Sequence, residues 1–344
     1  MKTGRTTEQT ISQGAKVHLL TSSQAALMLQ VHESSIKRWC NASELSFQKT
    51  RGGHRRFLLE DLAKFSKDKN LFFPFKIFAD DQMKLCDALL DYWQKKSLRS
   101  FTSVAKDWFH EQERLELLPE LVGELYSIFE VPITVLCDEL ICGIMFETGL
   151  AWEKGFIRVG EEHMISQNMM AALFRLLEAI QEKRNASENH DSTESTPVVA
   201  VTGCSEGCFH EVGAFCSRLV LLELGWRVLH LGANVPITEF AAMQLKHKAG
   251  LVCISFVAPM RIADLFRTHA SLAEKYDEEA PYMLVVGGGA ISDLSEEENP
   301  LLGSDKDKVE PPECVIFKSF SEFDSWLQAE FSDREASTQS GVLQ

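Results

Sequence analysis

Apolar and polar positions change rhythm twice along this chain. Over residues 19–65 the apolar positions come in short clusters broken by polar turns. Thr21 or Ser22 is placed to cap a first short helix in which Ala25, Ala26 and Leu29 share a face. After a break at 30–32, Ser34 or Ser35 opens a second short helix that holds Ile36, Lys37, Arg38 and Trp39. Gly52-Gly53 lies between two strand-like arms, which predicts a hairpin, and 58–65 reads as a closing helix.

From Lys76 to Lys183 the rhythm is helical, with stretches at 78–94, 98–118 (ended by Pro119), 120–129, 132–154 and 160–183. In the last, Met164, Ile165, Met169, Ala172, Leu173, Leu176 and Leu177 form one broad apolar face. This predicts a bundle of about four main helices over 76–183. The polar, turn-rich residues 184–196 read as a linker. Beyond them strands at 198–201, 226–231, 251–256, 282–286 and 315–317 alternate with helices at 212–224, 238–248, 262–276 and 321–331. That alternation predicts a flavodoxin-like, doubly wound parallel sheet over 197–331. The expected fold class is therefore multidomain α plus α/β. Residues 1–15 and 332–344 are expected to be disordered, and the acidic stretch 295–312 to be a solvated loop.

Charge separates the first segment from the rest. The net charge is −15, yet residues 1–70 hold 12 Lys/Arg against 6 Asp/Glu, a balance of +6. A basic head on an acidic body suggests that the head meets a polyanion and the body does not. No apolar run reaches the roughly 20 residues needed to cross a bilayer. The polar start and the odd count of nine cysteines suggest reduced thiols in a cytoplasmic protein.

Two short helices, the second basic, followed by a cationic hairpin Arg51-Gly52-Gly53-His54-Arg55-Arg56-Phe57, form an ordered helix–turn–helix–wing series. This segment, 16–70, resembles the MerR/excisionase-type winged helix-turn-helix. The resemblance implies that Ser34, Lys37 and Arg38 face the major groove of a double-stranded operator. Arg51, His54, Arg55 and Arg56 would contact its backbone or minor groove, and Trp39 would be core.

The α/β half places its chemistry after its strands. His210 follows the first strand, Ser255 ends the third, and Gly287-Gly288-Gly289 follow the fourth. A ligand crevice belongs at such carboxyl ends. No Gly-x-Gly-x-x-Gly follows the first strand and no Gly-Lys-Ser/Thr occurs, which disfavours a dinucleotide and a P-loop. On the residues alone, His210 could be a metal ligand, a base or a polar surface residue. In the bundle, Trp152 is followed by Glu162-His163 across a break at Gly155 and Gly160. Singly each has a plain structural explanation.

The segment Cys208-Phe209-His210-Glu211-Val212-Gly213, with Ser255-Phe256-Val257 and Gly287-Gly288, resembles the cobalamin-binding domain of methionine synthase and mutases. With the Trp152/Glu162-His163 pattern and the winged head, the chain from about 18 to 330 resembles the CarH/LitR-type light-dependent transcriptional regulators. The resemblance implies His210 as the lower axial cobalt ligand. Ser255 would bond the displaced nucleotide base, beside Gly213, Val257, Gly287 and Gly288. A bundle cap would set Trp152, Glu162 and His163 against the adenosyl group of adenosylcobalamin. It further implies a non-enzymatic regulator, read as a repressor. Its homo-oligomer, dimer or tetramer, and its DNA affinity would change when light breaks the cobalt–carbon bond.

Two positions depart from the pattern. Cys208 stands where the family has an acid that accepts the other ring N–H of the axial histidine; Glu206 or Glu211 are the available substitutes. Glu153 stands where some relatives have a histidine that ligates cobalt after photolysis. Competing readings are a cobalamin-independent regulator controlled by a partner protein and a metal or haem redox sensor built on Cys204, Cys208 and His210. A corrinoid enzyme is disfavoured, since the DNA-binding head would have no role.

Overall fold

A computed structural model describes residues 19–188, 198–257, 260–291 and 311–340. The chain divides into two compact units, Met1–Lys96 and Ser97–Gln344.

The first unit begins with β1 (Leu19–Leu20), α1 (Ser22–Met28) and α2 (Glu33–Asn41). β2 (Gln48–Lys49), β3 (Arg55–Leu58), α3 (Leu59–Lys69) and α4 (Gln82–Lys95) follow. Thr21 caps α1 through a capping box with Gln24. The second helix starts earlier than expected. His32, not a serine, is its N-cap, and its ring nitrogen accepts the Ser34 N–H at 3.2 Å. β3 is central, pairing antiparallel with β1 and with β2. The register Gln48↔Arg56 and Lys49↔Arg55 closes the expected hairpin over Thr50–His54. Gly53 at its tip has φ 80°, which glycine adopts without steric cost. Leu20, Met28, Ile36, Leu45, Phe57 and Leu62 are buried and form the core. Each contributes about 1.5–3 kcal/mol by burial. The helix expected at 78–94 is α4, and it lies in this first unit.

The second unit opens with α5 (Arg99–Lys106), α6 (Gln112–Leu115) and α7 (Leu118–Ser127). The single helix expected over 98–118 is therefore two, because Trp108 and Phe109 turn into the core between them. Pro119 begins α7 rather than ending its predecessor. In a first helical turn its missing N–H loses no bond. α8 (Ile133–Val135) leads through a π-helical turn, Leu136–Ile141, into α9 (Cys142–Glu153). α10 (Val159–Glu188) is longer than expected, and takes in residues 184–188 from the expected linker. The rest of that linker lies outside the described residues.

The α/β half comprises β4 (Val199–Cys204), α11 (Val212–Glu223), β5 (Arg227–His230), α12 (Ile237–His247) and β6 (Leu251–Ser255). It ends with α13 (Ile262–Ala273), β7 (Met283–Gly287), β8 (Cys314–Phe317) and α14 (Phe320–Ser340). All five strands are parallel, in the order β5-β4-β6-β7-β8. This is the flavodoxin-like order that the alternation predicts. β4, β6 and β7 are buried on both faces, as nearly continuous apolar runs require. α14 runs on past the expected end at 331, through a stretch with no Gly or Pro to stop it. The acidic loop expected at 295–312 lies almost wholly outside the described residues.

Bundle and sheet pack as one body within this unit. Asp138, in the π-helical turn, caps α14: its carboxylate accepts the N–H of Phe320 at 2.7 Å and of Ser321 at 3.0 Å. Lys183 on α10 pairs with Glu223 on α11 at 2.6 Å, and Tyr126 on α7 donates to the same carboxylate. The Arg184 guanidinium reaches the carbonyls of Leu222 and Trp226, each at 3.3 Å.

Candidate functional site

The site is built on the carboxyl edge of the sheet. After β4 the chain moves to β5 on one side, and later to β6 on the other. This is the strand-order reversal at which open α/β sheets leave a crevice. The registers Cys204↔Ser255, Ser255↔Gly287 and Gly287↔Phe317 set these residues in one row along that edge. Separate pieces of sequence, some 80 residues apart at the extremes of the motif, thus become neighbours.

Ser255 is buried, and its Oγ has no hydrogen-bond partner among the described residues. A buried hydroxyl left unpaired costs about 1–3 kcal/mol. It faces Gly213 in the first turn of α11, where a Cβ would stand 2.9 Å from that oxygen. Gly288 has φ +118°, and a Cβ there would meet the Phe256 carbonyl oxygen at 2.2 Å. Only glycine fits either place without a shift in its surroundings.

His210 lies in the loop between β4 and α11. Its side chain is exposed, and its imidazole makes no hydrogen bond among the described residues. The loop that carries it is held from elsewhere. Asn234, in the left-handed region at φ 54°, accepts the Gly207 N–H at 2.9 Å and donates its own N–H to the Cys208 carbonyl at 2.8 Å. Below the loop, the Cys208 sulfur accepts a bond from the Cys204 thiol and the backbone N–H groups of His210 and Val257. These donors, with the Cys204 thiol foremost, hold the Cys208 thiol below its ordinary range despite burial. The Cys204 thiol is raised by that same bond and by burial.

Neither glutamate takes the place of the missing acid beside His210. Glu206 is exposed. Glu211 turns to His230: its Oε1 lies 2.9 Å from Nε2, while Nδ1 of the same ring lies 2.8 Å from Thr202 Oγ1. Burial lowers the His230 pKa, against an opposing pull from Glu211. This Glu211–His230–Thr202 chain and the Asn234 clamp were not visible in the sequence. Each depends on strand register, such as Thr202↔His230, rather than on local spacing.

The helical candidates lie toward the start of α10, which packs beside α11. Phe174 on α10 meets Phe215 on α11 at 4.9 Å between ring centroids, while Arg184 reaches the far end of α11. The two helices therefore run in the same direction. From Phe174 back to His163, α10 continues for about 16 Å, past the start of α11. At that end Trp152 is 53% exposed, Phe156 70% and Val159 53%. Glu162 is bonded to its neighbour His163 and accepts the Ser166 hydroxyl at 2.8 Å. Phe209, beside His210, is 71% exposed.

Among the described residues no group of three or more His, Cys, Asp or Glu side chains is arranged to hold a metal ion. Cys204, Cys208 and His210 do not form such a group: the Cys208 sulfur faces backbone donors, and His210 is exposed.

In the first unit Ser34, Lys37, Arg38, Arg51 and His54 are exposed. Lys37 pairs with Glu33 at 3.1 Å. Arg55 is half-buried: it donates to Asn41 Oδ1 at 2.8 Å and lies 5.3 Å from the Phe47 ring centroid. Arg56 donates to the Arg55 carbonyl at 3.0 Å. Trp39 packs on Phe65, with ring centroids 5.1 Å apart.

Residues 19–68 match the helix-turn-helix domain family. Over 153 residues the chain is 29% identical to the HTH-type transcriptional repressor CarH of Myxococcus xanthus, covering 44% of this chain and 46% of that protein. Over these residues the chain is similar to the CarH and CarA repressors. CarA of the same organism is 25% identical over 159 residues, 45% of this chain and 48% of its own length. The chain thus spans about half the length of the curated relatives it matches. Among solved structures, the monomethylamine corrinoid protein of Methanosarcina barkeri aligns at TM-score 0.46 and 19% identity, covering 64% of this chain and 93% of that one. A cobalamin-binding protein of Desulfitobacterium hafniense aligns at TM-score 0.35 and 17% identity, covering 62% and 97%. No helix of the described residues is long and apolar enough to cross a membrane.

Proposed function

We propose that this chain is a DNA-binding transcriptional repressor whose assembly and DNA affinity are set by adenosylcobalamin and by light. Ser255 carries the reading. A buried hydroxyl without a partner, against a glycine that leaves it open, calls for a ligand atom to complete it. It lies in the edge row next to Gly287, with Val257 and Gly288 following on the two neighbouring strands. A nucleotide base entering there would find a donor and acceptor in the Ser255 hydroxyl, and close backbone approach at Gly213, Gly287 and Gly288.

His210 suits cobalt as a neutral nitrogen donor, and no internal bond has to be broken to free it. His210 would hold adenosylcobalamin through its cobalt, and the cofactor would supply a cobalt–carbon bond that light breaks. With Cys208 in place of an acid and Glu211 engaged by His230, no carboxylate among the described residues holds a ring nitrogen of His210. The Cys208 sulfur instead holds the backbone N–H of the same residue and so orients the loop. Trp152, Glu162 and His163, on the overhanging end of α9 and α10, would exclude water from the upper face. These helices would pack differently with the site filled and with it changed, to the extent that the two states bind the ligand differently.

In the head, Ser34, Lys37 and Arg38 on α2 would enter the major groove, with Arg51, His54 and Arg56 on the hairpin toward the backbone. A homo-oligomer, dimer or tetramer, would engage several such heads at once.

The test is purification in the dark with adenosylcobalamin, followed by visible spectra and light scattering before and after illumination. The expected result is a retained corrin, a changed spectrum and a changed mass. A protein that retains no corrin rejects the cofactor. A retained corrin with unchanged mass rejects light-controlled assembly.

A further inference from the structure

On the DNA-binding reading of the head, we infer that Asn41 reads a base in the major groove and that Arg55 of the hairpin fixes which way its amide points. In the sequence Asn41 merely closes a short helix. The fold puts it on the exposed side of α2. Ile36 and Cys40 are buried, whereas Ser34, Lys37, Arg38 and Asn41 are exposed. At 100° per residue these four positions fall within about 100° of one another, turned away from the buried pair. From Ser34 to Asn41 the stripe runs about 10 Å, which fits a major groove about 12 Å wide.

The Asn41 amide is oriented from the hairpin. Arg55, on β3, donates from Nη2 to Asn41 Oδ1 at 2.8 Å. A guanidinium has only donors, so the atom it meets is the carbonyl oxygen and the amide cannot sit the other way round. Arg55 is held in its turn. Its guanidinium carbon lies 5.3 Å from the Phe47 ring centroid, and Phe47 packs on the buried Phe57, with centroids 6.4 Å apart. The Asn41 Nδ2 makes no hydrogen bond among the described residues. A cation on the oxygen also polarises the amide and strengthens its two N–H donors. At this position α2 therefore presents two donors, with the acceptor turned to Arg55.

In the major groove guanine shows two acceptors, N7 and O6, and thymine shows one, O4. Adenine and cytosine each bring an amino donor, which would oppose the Asn41 N–H groups. An asparagine free to turn pairs with adenine by accepting from N6 and donating to N7. Here Arg55 holds the oxygen that such a pair needs. Asn41 therefore selects guanine, with thymine second, at one base pair of the site. Arg55 is a positioning residue: it reaches no base and acts through the orientation it gives Asn41.

The experiment offers the full chain, in the dark with and without adenosylcobalamin, a pool of duplexes of randomised sequence, and sequences those retained. The native chain should select guanine or thymine at one position, about tenfold over cytosine, as one good hydrogen-bonded contact allows. Asn41→Asp keeps the shape and the bond to Arg55 but exchanges the donors for an acceptor. It should move that position to cytosine, whose amino group an aspartate accepts, and leave the other positions as they were. Arg55→Ala should admit adenine at the same position alone, which a loss of stability would not do. Selection of the same bases by native and Asn41→Asp protein, or an equal loss on every sequence, overturns the inference, since Asn41 would then touch backbone or nothing. An Arg55→Ala variant that still refuses adenine removes Arg55 as the positioning residue. A native chain that retains no duplex rejects the DNA-binding reading, and the role of Asn41 with it.

Discussion

Two histidines on one sheet are treated in opposite ways. His230 ends β5 and is half-buried, with most of its ring covered; both ring nitrogens are engaged, one by Glu211 and one by Thr202. Its ring also lies edge-on to Phe215, with centroids 5.2 Å apart. His210, on the loop after the neighbouring strand, is exposed, and its imidazole makes no hydrogen bond among the described residues. The carboxylate between them, Glu211, is adjacent to His210 in sequence but serves His230. A histidine whose nitrogens are filled holds a structure together. One whose nitrogens are empty can accept a ligand atom. The molecule spends its carboxylate on the structural histidine and leaves the other open.

The sharpest break of this contrast is His210→Ala. Apo stability should stay within about 0.5 kcal/mol of the native chain, as for a surface substitution away from packing. The visible spectrum of bound cobalamin should lose every sign of axial imidazole. A variant whose cofactor spectrum matched the native one would show that His210 is not the ligand.

The next effect belongs to His230. His230→Gln strands the Glu211 carboxylate and should destabilise the apo protein by about 1–3 kcal/mol in urea unfolding at neutral pH. The pH dependence sharpens this. Burial depresses the folded pKa of His230, so the unfolded chain takes up the proton first as pH falls. The stability that His230 contributes is fully present above its unfolded value of about 6.5 and is lost as pH drops below it. The glutamine variant should lack that part of the acid slope. Parallel slopes for the two proteins would mean that His230 is not held neutral.

The same contrast recurs in the head, between two arginines. Arg38 is exposed, whereas Arg55 is fixed by Asn41 and Phe47. Arg38→Ala should leave thermal stability unchanged and flatten the log–log salt dependence of DNA binding by about 0.9, the effect of one lost phosphate contact. Arg55→Ala should lower stability by about 1 kcal/mol through the lost bond and ring contact. Equal salt slopes for native and Arg38→Ala protein would remove Arg38 from the interface.

These contrasts mark where the sequence was legible. The five strands could be read because buried parallel strands are short apolar runs, and Ser255 and Gly287 could be placed because they end such runs. The helix-turn-helix could be read from its turn chemistry, with Gly53 where a positive φ is needed. The misreadings have local causes. Pro119 looks the same in sequence whether it ends a helix or starts one, and only packing of Trp108 and Phe109 decides. His32 is hard to read as a cap because serines, the commoner caps, follow it. The roles of Glu211 and Asn234 could not be read at all. Glu211 is separated from His230 by a whole helix, and Asn234 reaches back across the sheet edge to Gly207.

Ser255→Ala gives the smallest effect and the finest discrimination. In the apo protein the hydroxyl is buried without a partner, so its removal relieves a desolvated oxygen and leaves the backbone untouched. The variant should be as stable as the native chain, or up to about 1 kcal/mol more stable, because nothing is left unpaired behind it. Its cobalamin affinity should fall about tenfold, the equivalent of one hydrogen bond of about 1.4 kcal/mol. A residue kept only for packing would give the reverse, with lower stability and unchanged affinity. Gly213→Ala provides the control on shape: its Cβ would crowd the same oxygen. It should weaken cobalamin binding while leaving the hydroxyl in place. If Ser255→Ala lost stability and kept its affinity, the unpaired hydroxyl would be a structural feature, and the site would need another anchor for its ligand.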